Sequence, residues 1–149
     1  MGTSAHSIRA ARSVEFDAVL ALVSSAGLPT LDLTSAAIDN FLVAVDEHKL
    51  LGTVALERYG EVGLLRSLVV ARDRRGSGLG TAMVHAIERR ARDEGITSLV
   101  LLTETASQFF GALGYAARQR AEAPAAVRAS SEFAFVCPAS AAYMEKPLR

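Results

Sequence analysis

The chain has 149 residues, half of them apolar and 21% charged, which is about one ordinary domain with enough apolar material for a core and too much to stay disordered. Its 16 Lys and Arg are matched by 16 Asp and Glu, so no broad positive field exists to hold nucleic acid or an anionic membrane, and small molecules are the expected partners. No apolar run is long enough to cross a bilayer, and the opening MGTSAHSIRAAR lacks the long hydrophobic segment of a secretion signal, so a cytoplasmic location is expected.

Strand and helix patterns alternate along the chain without internal repeats, which reads as a single domain over residues 1–149 with residues 1–6 a flexible start. HSIRAA is a short strand candidate. SVEFDAVLALVSSAGLP follows as an amphipathic helix, with Ser13 as its cap, Phe16, Val19, Leu20 and Val23 on one face, and Gly27 then Pro29 as its stop. FLVAVDEHKLLGTVALERYGEVGLLRSLVVA holds three apolar, β-branched runs separated by DEHK and RYGE, the pattern of an antiparallel meander.

Behind the third run comes RRGSGLGT, and then Leu79, Ala82, Met83, Ala86, Ile87 and Ala91 recur at helical spacing as far as Gly95. SLVLLT is the next strand, apolar enough to be covered on both faces, and TASQFFGALGY is a short helix ended by Gly114. A helix between two such strands makes them parallel neighbours. The tail PAAVRASSEFAFVCPASAAYMEKPL holds a helix opened by Pro124 and a last strand around residues 139–144, after Pro138. The sum is an α/β (α+β) fold: a mixed, mainly antiparallel sheet of six to seven strands, flanked by helices.

The glycine cluster Gly76, Gly78, Gly80 sits at the mouth of a helix, where glycine weakens regular structure and so serves the backbone. A P-loop needs Gly-Lys-Ser/Thr, and here Gly80 is followed directly by Thr81; a dinucleotide fingerprint needs G-x-G-x-x-G early in a βαβ unit, and here G-x-G-x-G follows a meander. What remains is a run of backbone N–H groups converging at a helix N-terminus, an arrangement that fits a pyrophosphate.

At these residues the chain resembles the GNAT superfamily of N-acetyltransferases, whose Arg/Gln-x-x-Gly-x-Gly/Ala hallmark is met by Arg75, Gly78 and Gly80 after the strand residues Leu68, Val69 and Val70. The order of meander, loop-helix unit and FFGALGY segment is also similar. The resemblance implies an acetyl-CoA site, with the pyrophosphate on the amides of Arg75, Gly76, Ser77, Gly78, Leu79, Gly80 and Thr81 and pantetheine along residues 68–70. It also implies a parallel strand pair splayed to admit the thioester. Phe109 and Phe110 would be core or a wall of the pantetheine channel.

Acetyl transfer to an amine passes through a tetrahedral oxyanion, so a backbone N–H at Val69 or Val70 is the expected stabiliser. A carboxylate base would take the amine proton, with Glu104 ranked narrowly ahead of Glu57 and Glu61; taken singly, each is better explained as a solvated carboxylate at a strand end, and a water relay stays open. Many relatives carry a tyrosine as general acid where this chain has Phe110; Tyr115 and Tyr143 are alternatives, each also explained by packing.

LLRSLVV and the tail are similar to small amino-acid N-acetyltransferases, the glutamate-acetylating kind, and to their arsenic-resistance-associated relatives. That likeness implies that Arg66 and Ser67 meet a substrate carboxylate and that Leu28 and Pro29, in SSAGLPTLDL, belong to a lid over the acceptor. A solvent-facing arginine and ordinary turn punctuation are the plain alternatives. Cys137 cannot form an internal disulfide and has no histidine near it in sequence to make it a nucleophile; His6, His48 and His85 lie singly, so no metal is expected. The functional expectation is acetylation of a small-molecule amine, with a second copy of the chain as a candidate partner in a homodimer. A non-catalytic acetyl-CoA sensor and a protein acetyltransferase are the other readings.

Overall fold

The computed structural model describes residues 7–47, 49–130, 133 and 140–148. The strands are β1 Ser7–Ala10, β2 Phe41–Asp46, β3 Lys49–Tyr59, β4 Val62–Val70, β5 Ser98–Thr103, β6 Ala116–Arg118 and β7 Ala142–Pro147. The helices are α1 Phe16–Ser25, α2 Leu79–Asp93, α3 Ser107–Ala112 and α4 Ala125–Arg128. Among the described residues the sheet has seven strands in the order β1-β2-β3-β4-β5-β7-β6. It is antiparallel at β1–β2, β2–β3, β5–β7 and β6–β7 and parallel at β4–β5. The mixed, mainly antiparallel architecture expected from the sequence is what forms.

The chain separates into two compact units. One is the chain up to Ala55 with Ser67–Ile87; the other is Leu56–Arg66 with everything from Glu88 onward.

The first unit has its own core of Val19 and Val23 from α1, Ile38, Phe41 and Val43, Ala55 and Val69. Helix α1 forms because Phe16, Val19 and Val23 repeat at helical spacing, and it stops where Gly27 turns to φ +74°. Ser13 is not its cap. It opens a 3-10 turn, Ser13–Glu15, ahead of α1. There the Glu15 carboxylate accepts the Arg12 N–H at 2.8 Å and the Arg9 guanidinium at 2.9 and 2.8 Å. The turn is thus held from its own N-terminal side by the Glu15 carboxylate, with Arg9 as a bidentate, charge-assisted donor. The Arg9 bonds hold the Glu15 carboxyl down to a pKa of about 2. Strand β2 is buried on both faces over its first four residues.

The second unit packs Leu64, Val100, Ala123, Val127, Phe133 and Tyr143 together. The parallel register pairs Val62 with Ser98 and Leu64 with Val100. Gly63 lies within it because a Cβ there would stand 2.6 Å from Leu56 Cδ1 and 2.8 Å from Leu99 Cδ2. The short helix α3 ends at Gly114, φ +99°. Strand β6 has only three residues, too few for an alternating pattern to show in sequence. Strand β7 runs later than expected, over Ala142–Pro147, because its ladder with β5 extends through Lys146 to Pro147. Pro147 is tolerated because it lies beyond the end of β6, whose last partner is Glu145. The expectations for Cys137, Pro138, His6 and His48 fall outside the described residues.

Candidate functional site

The site is built in the first unit, from the end of β4 to the first turn of α2. Strands favour φ near −120°, yet Ser67 takes φ +58° and is 6% exposed. This left-handed residue is an irregularity within the strand, termed the bulge below. Its carbonyl accepts the Thr53 hydroxyl at 2.8 Å. Leu68, Val69 and Val70 follow, and the Ala71 N–H returns to the Leu51 carbonyl at 2.7 Å.

A 3-10 turn, Arg72–Arg74, then leads into Gly76 at φ +78° and Gly78 at φ +87°. A Cβ at either glycine would find nothing within 4 Å. Crowding by the protein is therefore not why these positions are glycine; the left-handed backbone is. In α2 the Ala82 N–H already bonds the Gly78 carbonyl at 3.1 Å, whereas the N–H groups of Leu79, Gly80 and Thr81, being first-turn donors, have no acceptor within the helix. No acidic residue sits in that turn, so the positive end of the dipole is left for an outside anion.

The loop is braced by its own charges. Lys49 binds Asp73, and Arg74 reaches Asp46 at 3.5 Å and Asp73 at 3.9 Å. Arg75 Nε donates to the Val70 carbonyl at 3.3 Å, tying the strand end to the loop. Val69 and Leu79 are each 4% exposed, so what they offer a ligand is backbone. In this unit the structure thus brings together Ser67, Leu68, Val69, Val70 and all of residues 75–81; Leu28 and Pro29 lie in the same unit, in the loop after α1.

Arg66, Glu104, Phe109 and Phe110 belong to the second unit. The Arg66 side chain is fully buried and donates from Nη1 to Glu57 Oε2 at 3.1 Å, while Tyr59 donates its hydroxyl to Glu57 Oε1 at 2.8 Å. Both Glu57 oxygens are engaged, whereas Glu61 and Glu104 are exposed. Phe110 packs edge-to-face on Phe109 and Tyr115, with ring centres 5.1 and 5.5 Å away.

Tyr115 donates to Glu88 Oε2 at 2.9 Å, and burial together with that carboxylate pushes its phenol well up; burial first, then Glu145, raises Tyr143 to about 12. Burial and the Glu57 contact raise Tyr59 likewise to about 12. Gly52, Thr53 and the buried Glu88 went unremarked in the sequence. The glycine inside the run LLGTVAL was the available signal, since glycine in a strand interior marks a close backbone approach.

Among the described residues no three His, Cys, Asp or Glu cluster to hold a metal, and no helix is long and apolar enough to cross a membrane. The family described as Acetyltransferase (GNAT) domain matches residues 37–117. No curated protein matches the sequence. Among solved structures, N-acetylglutamate synthase from Neisseria gonorrhoeae, complexed with coenzyme A and N-acetyl-glutamate, superposes with a TM-score of 0.85 at 21% identity, covering 99% of this chain and 36% of its own. This chain therefore spans about a third of that synthase. Rv2747 from Mycobacterium tuberculosis, in complex with CoA, gives 0.82 at 23% identity over 96% of this chain and 99% of its own. A GNAT-family acetyltransferase from Staphylococcus aureus gives 0.77 at 15% over 97% and 100%. These likenesses establish the fold.

Proposed function

This chain belongs to the GNAT acetyltransferase family, and we propose that it is an acetyl-CoA-dependent N-acetyltransferase, acting in the cytoplasm on the amine of a small molecule, an amino acid or amino-acid-like compound. The observation that carries the reading is the mouth of α2: two left-handed glycines at which a Cβ would meet nothing within 4 Å, followed by the first-turn N–H groups of Leu79, Gly80 and Thr81, which have no acceptor within the helix. That is a diphosphate cradle, and the residues present fit it. The amino-acid acceptor is supported by the synthase of the same fold that was solved with N-acetyl-glutamate.

Acetyl-CoA would supply the thioester, an activated acetyl group on a leaving thiol of pKa about 8.5. The chain's own part is to hold and polarise it. Residues 75–81 take the diphosphate, Leu68, Val69 and Val70 offer strand backbone to the pantetheine amides, and the Val70 N–H is assigned to the developing oxyanion. Phe109 and Phe110 are assigned to the pantetheine wall.

The attacking amine must be neutral, and Glu104 is assigned as the group that accepts its proton; it is an exposed carboxylate just past β5. Acceptor contacts are assigned to Arg66, Ser67, Leu28 and Pro29. Arg66 keeps Glu57 as an internal partner, so its part would be to orient a carboxylate by sharing a charge already balanced.

Release of free thiol from acetyl-CoA, measured across amino acids and arsenical amino-acid analogues, tests the reading. Acceptor-dependent release is expected. Tight CoA binding with no release for any acceptor would instead identify a sensor, the reading favoured by Phe110 together with the engaged Tyr115 hydroxyl.

A further inference from the structure

Ser67 holds a backbone conformation that L-residues rarely adopt, φ +58°, at the point where β4 turns into the proposed carrier-binding segment. Its own side chain does not account for this. The hydroxyl is buried and has no hydrogen-bond partner among the described residues. The conformation is therefore held by whatever meets the backbone around it, and three consecutive residues of β3 do so.

The Leu51 carbonyl accepts the Ala71 N–H at 2.7 Å, closing the ladder beyond the bulge. Gly52 carries no side chain where a Cβ would lie 2.7 Å from Met83 Sδ and 3.0 Å from the Val69 carbonyl. Met83 is itself completely buried, so neither neighbour yields easily. Thr53, 0% exposed, donates its hydroxyl to the Ser67 carbonyl at 2.8 Å. Loss of that donor would remove a hydrogen bond from a buried backbone carbonyl at the left-handed residue, favouring relaxation of the backbone there.

We infer that Thr53, with Gly52 beside it, is a positioning residue for acyl transfer: its hydroxyl fixes the Ser67 bulge and thereby the direction of the Val69 and Val70 N–H groups. This rests on the N-acetyltransferase reading. Thr53 acts through backbone it holds, so its loss falls on the chemical step, while the loop and helix amides that take the diphosphate keep their own bracing from Arg74, Asp46 and Arg75.

The test compares Thr53→Val, which keeps the shape and removes the hydroxyl, with Thr53→Ser, which keeps the hydroxyl and removes the methyl. Three readouts apply: kcat with saturating acetyl-CoA, CoA Kd by calorimetry, and the backbone amide NMR signals of residues 67–71. Thr53→Val is expected to lower kcat by about tenfold or more, a fraction of what losing an oxyanion donor costs. Its Kd should stay within about threefold, and its amide signals should shift. Thr53→Ser should restore kcat and signals. A Thr53→Val protein with wild-type kcat and unmoved amides, beside a Thr53→Ser protein that has lost both, overturns the inference, because that pattern belongs to a packing methyl. If the wild type neither binds CoA nor transfers acetyl, the functional reading falls, and the amide comparison alone still decides what holds the bulge.

Discussion

Gly78→Val separates backbone strain from lost ligand space. Gly78 has φ +87°, and a Cβ there meets nothing within 4 Å, so the free protein suffers conformational strain and no clash. For a β-branched residue that strain is about 1–3 kcal/mol, which for a chain of this length lowers Tm by roughly 3–10 °C. Gly60, φ +67° and also free of neighbours within 4 Å, is the matched control: Gly60→Val carries similar strain in the β3–β4 turn. In the CoA complex the two diverge, because only the Cβ at position 78 enters the space assigned to the diphosphate. By calorimetric titration, Gly78→Val is expected to raise CoA Kd at least about tenfold, equivalent to about 1.4 kcal/mol. Gly60→Val should leave it within about twofold. Equal Kd values for the two variants, with equal Tm losses, would refute the assignment of this loop to the diphosphate.

Glu88 is 2% exposed and accepts both Tyr115 at 2.9 Å and Lys146 at 3.0 Å; Glu88→Ala strands a half-buried ammonium and a buried phenol and should cost about 2–4 kcal/mol in urea unfolding, against under about 0.5 for an exposed site such as Glu61→Ala. Tyr59 and Tyr143, with pKa values pushed up to about 12 from 10, bind their protons more tightly folded than unfolded. Their contribution is thus whole below pH 10 and lost as pH rises through 12. Phenolate absorbance and circular dichroism should therefore change together in alkali, and free phenolate at pH 10 in the folded protein would contradict this. Glu104→Gln should lower kcat/KM by about a hundredfold at pH 7, less at pH 9 where an α-amine is already neutral, if the carboxylate takes the proton; an unchanged profile would return the role to water.

Several parts of the molecule were legible from neighbours in sequence alone. The three-strand meander, the stretch SLVLLT as β5, and the loop-to-helix unit with Leu79, Met83, Ile87 and Ala91 facing inward all follow from residue periodicity, because a strand or helix face repeats within a few residues. The glycine cluster likewise marked a stretch that serves through its backbone, and Gly76 and Gly78 are the two that turn left-handed, a conformation that glycine adopts at no steric cost. Tertiary structure decided what distant residues do to one another. Arg66 reads as a free cation in LLRSLVV, yet is buried against Glu57, nine positions away; Glu88 sits in a helix rich in arginine, yet is met by Lys146, 58 positions on. The bulge at Ser67 is not written in Ser67: it depends on the Thr53 hydroxyl and the absent side chain of Gly52, which reach it only once β3 lies beside β4. A charge or a hydroxyl in a sequence announces what it can bind, and only the folded chain selects its partner, because hydrogen bonds are made across a few ångströms of space whatever the separation along the backbone.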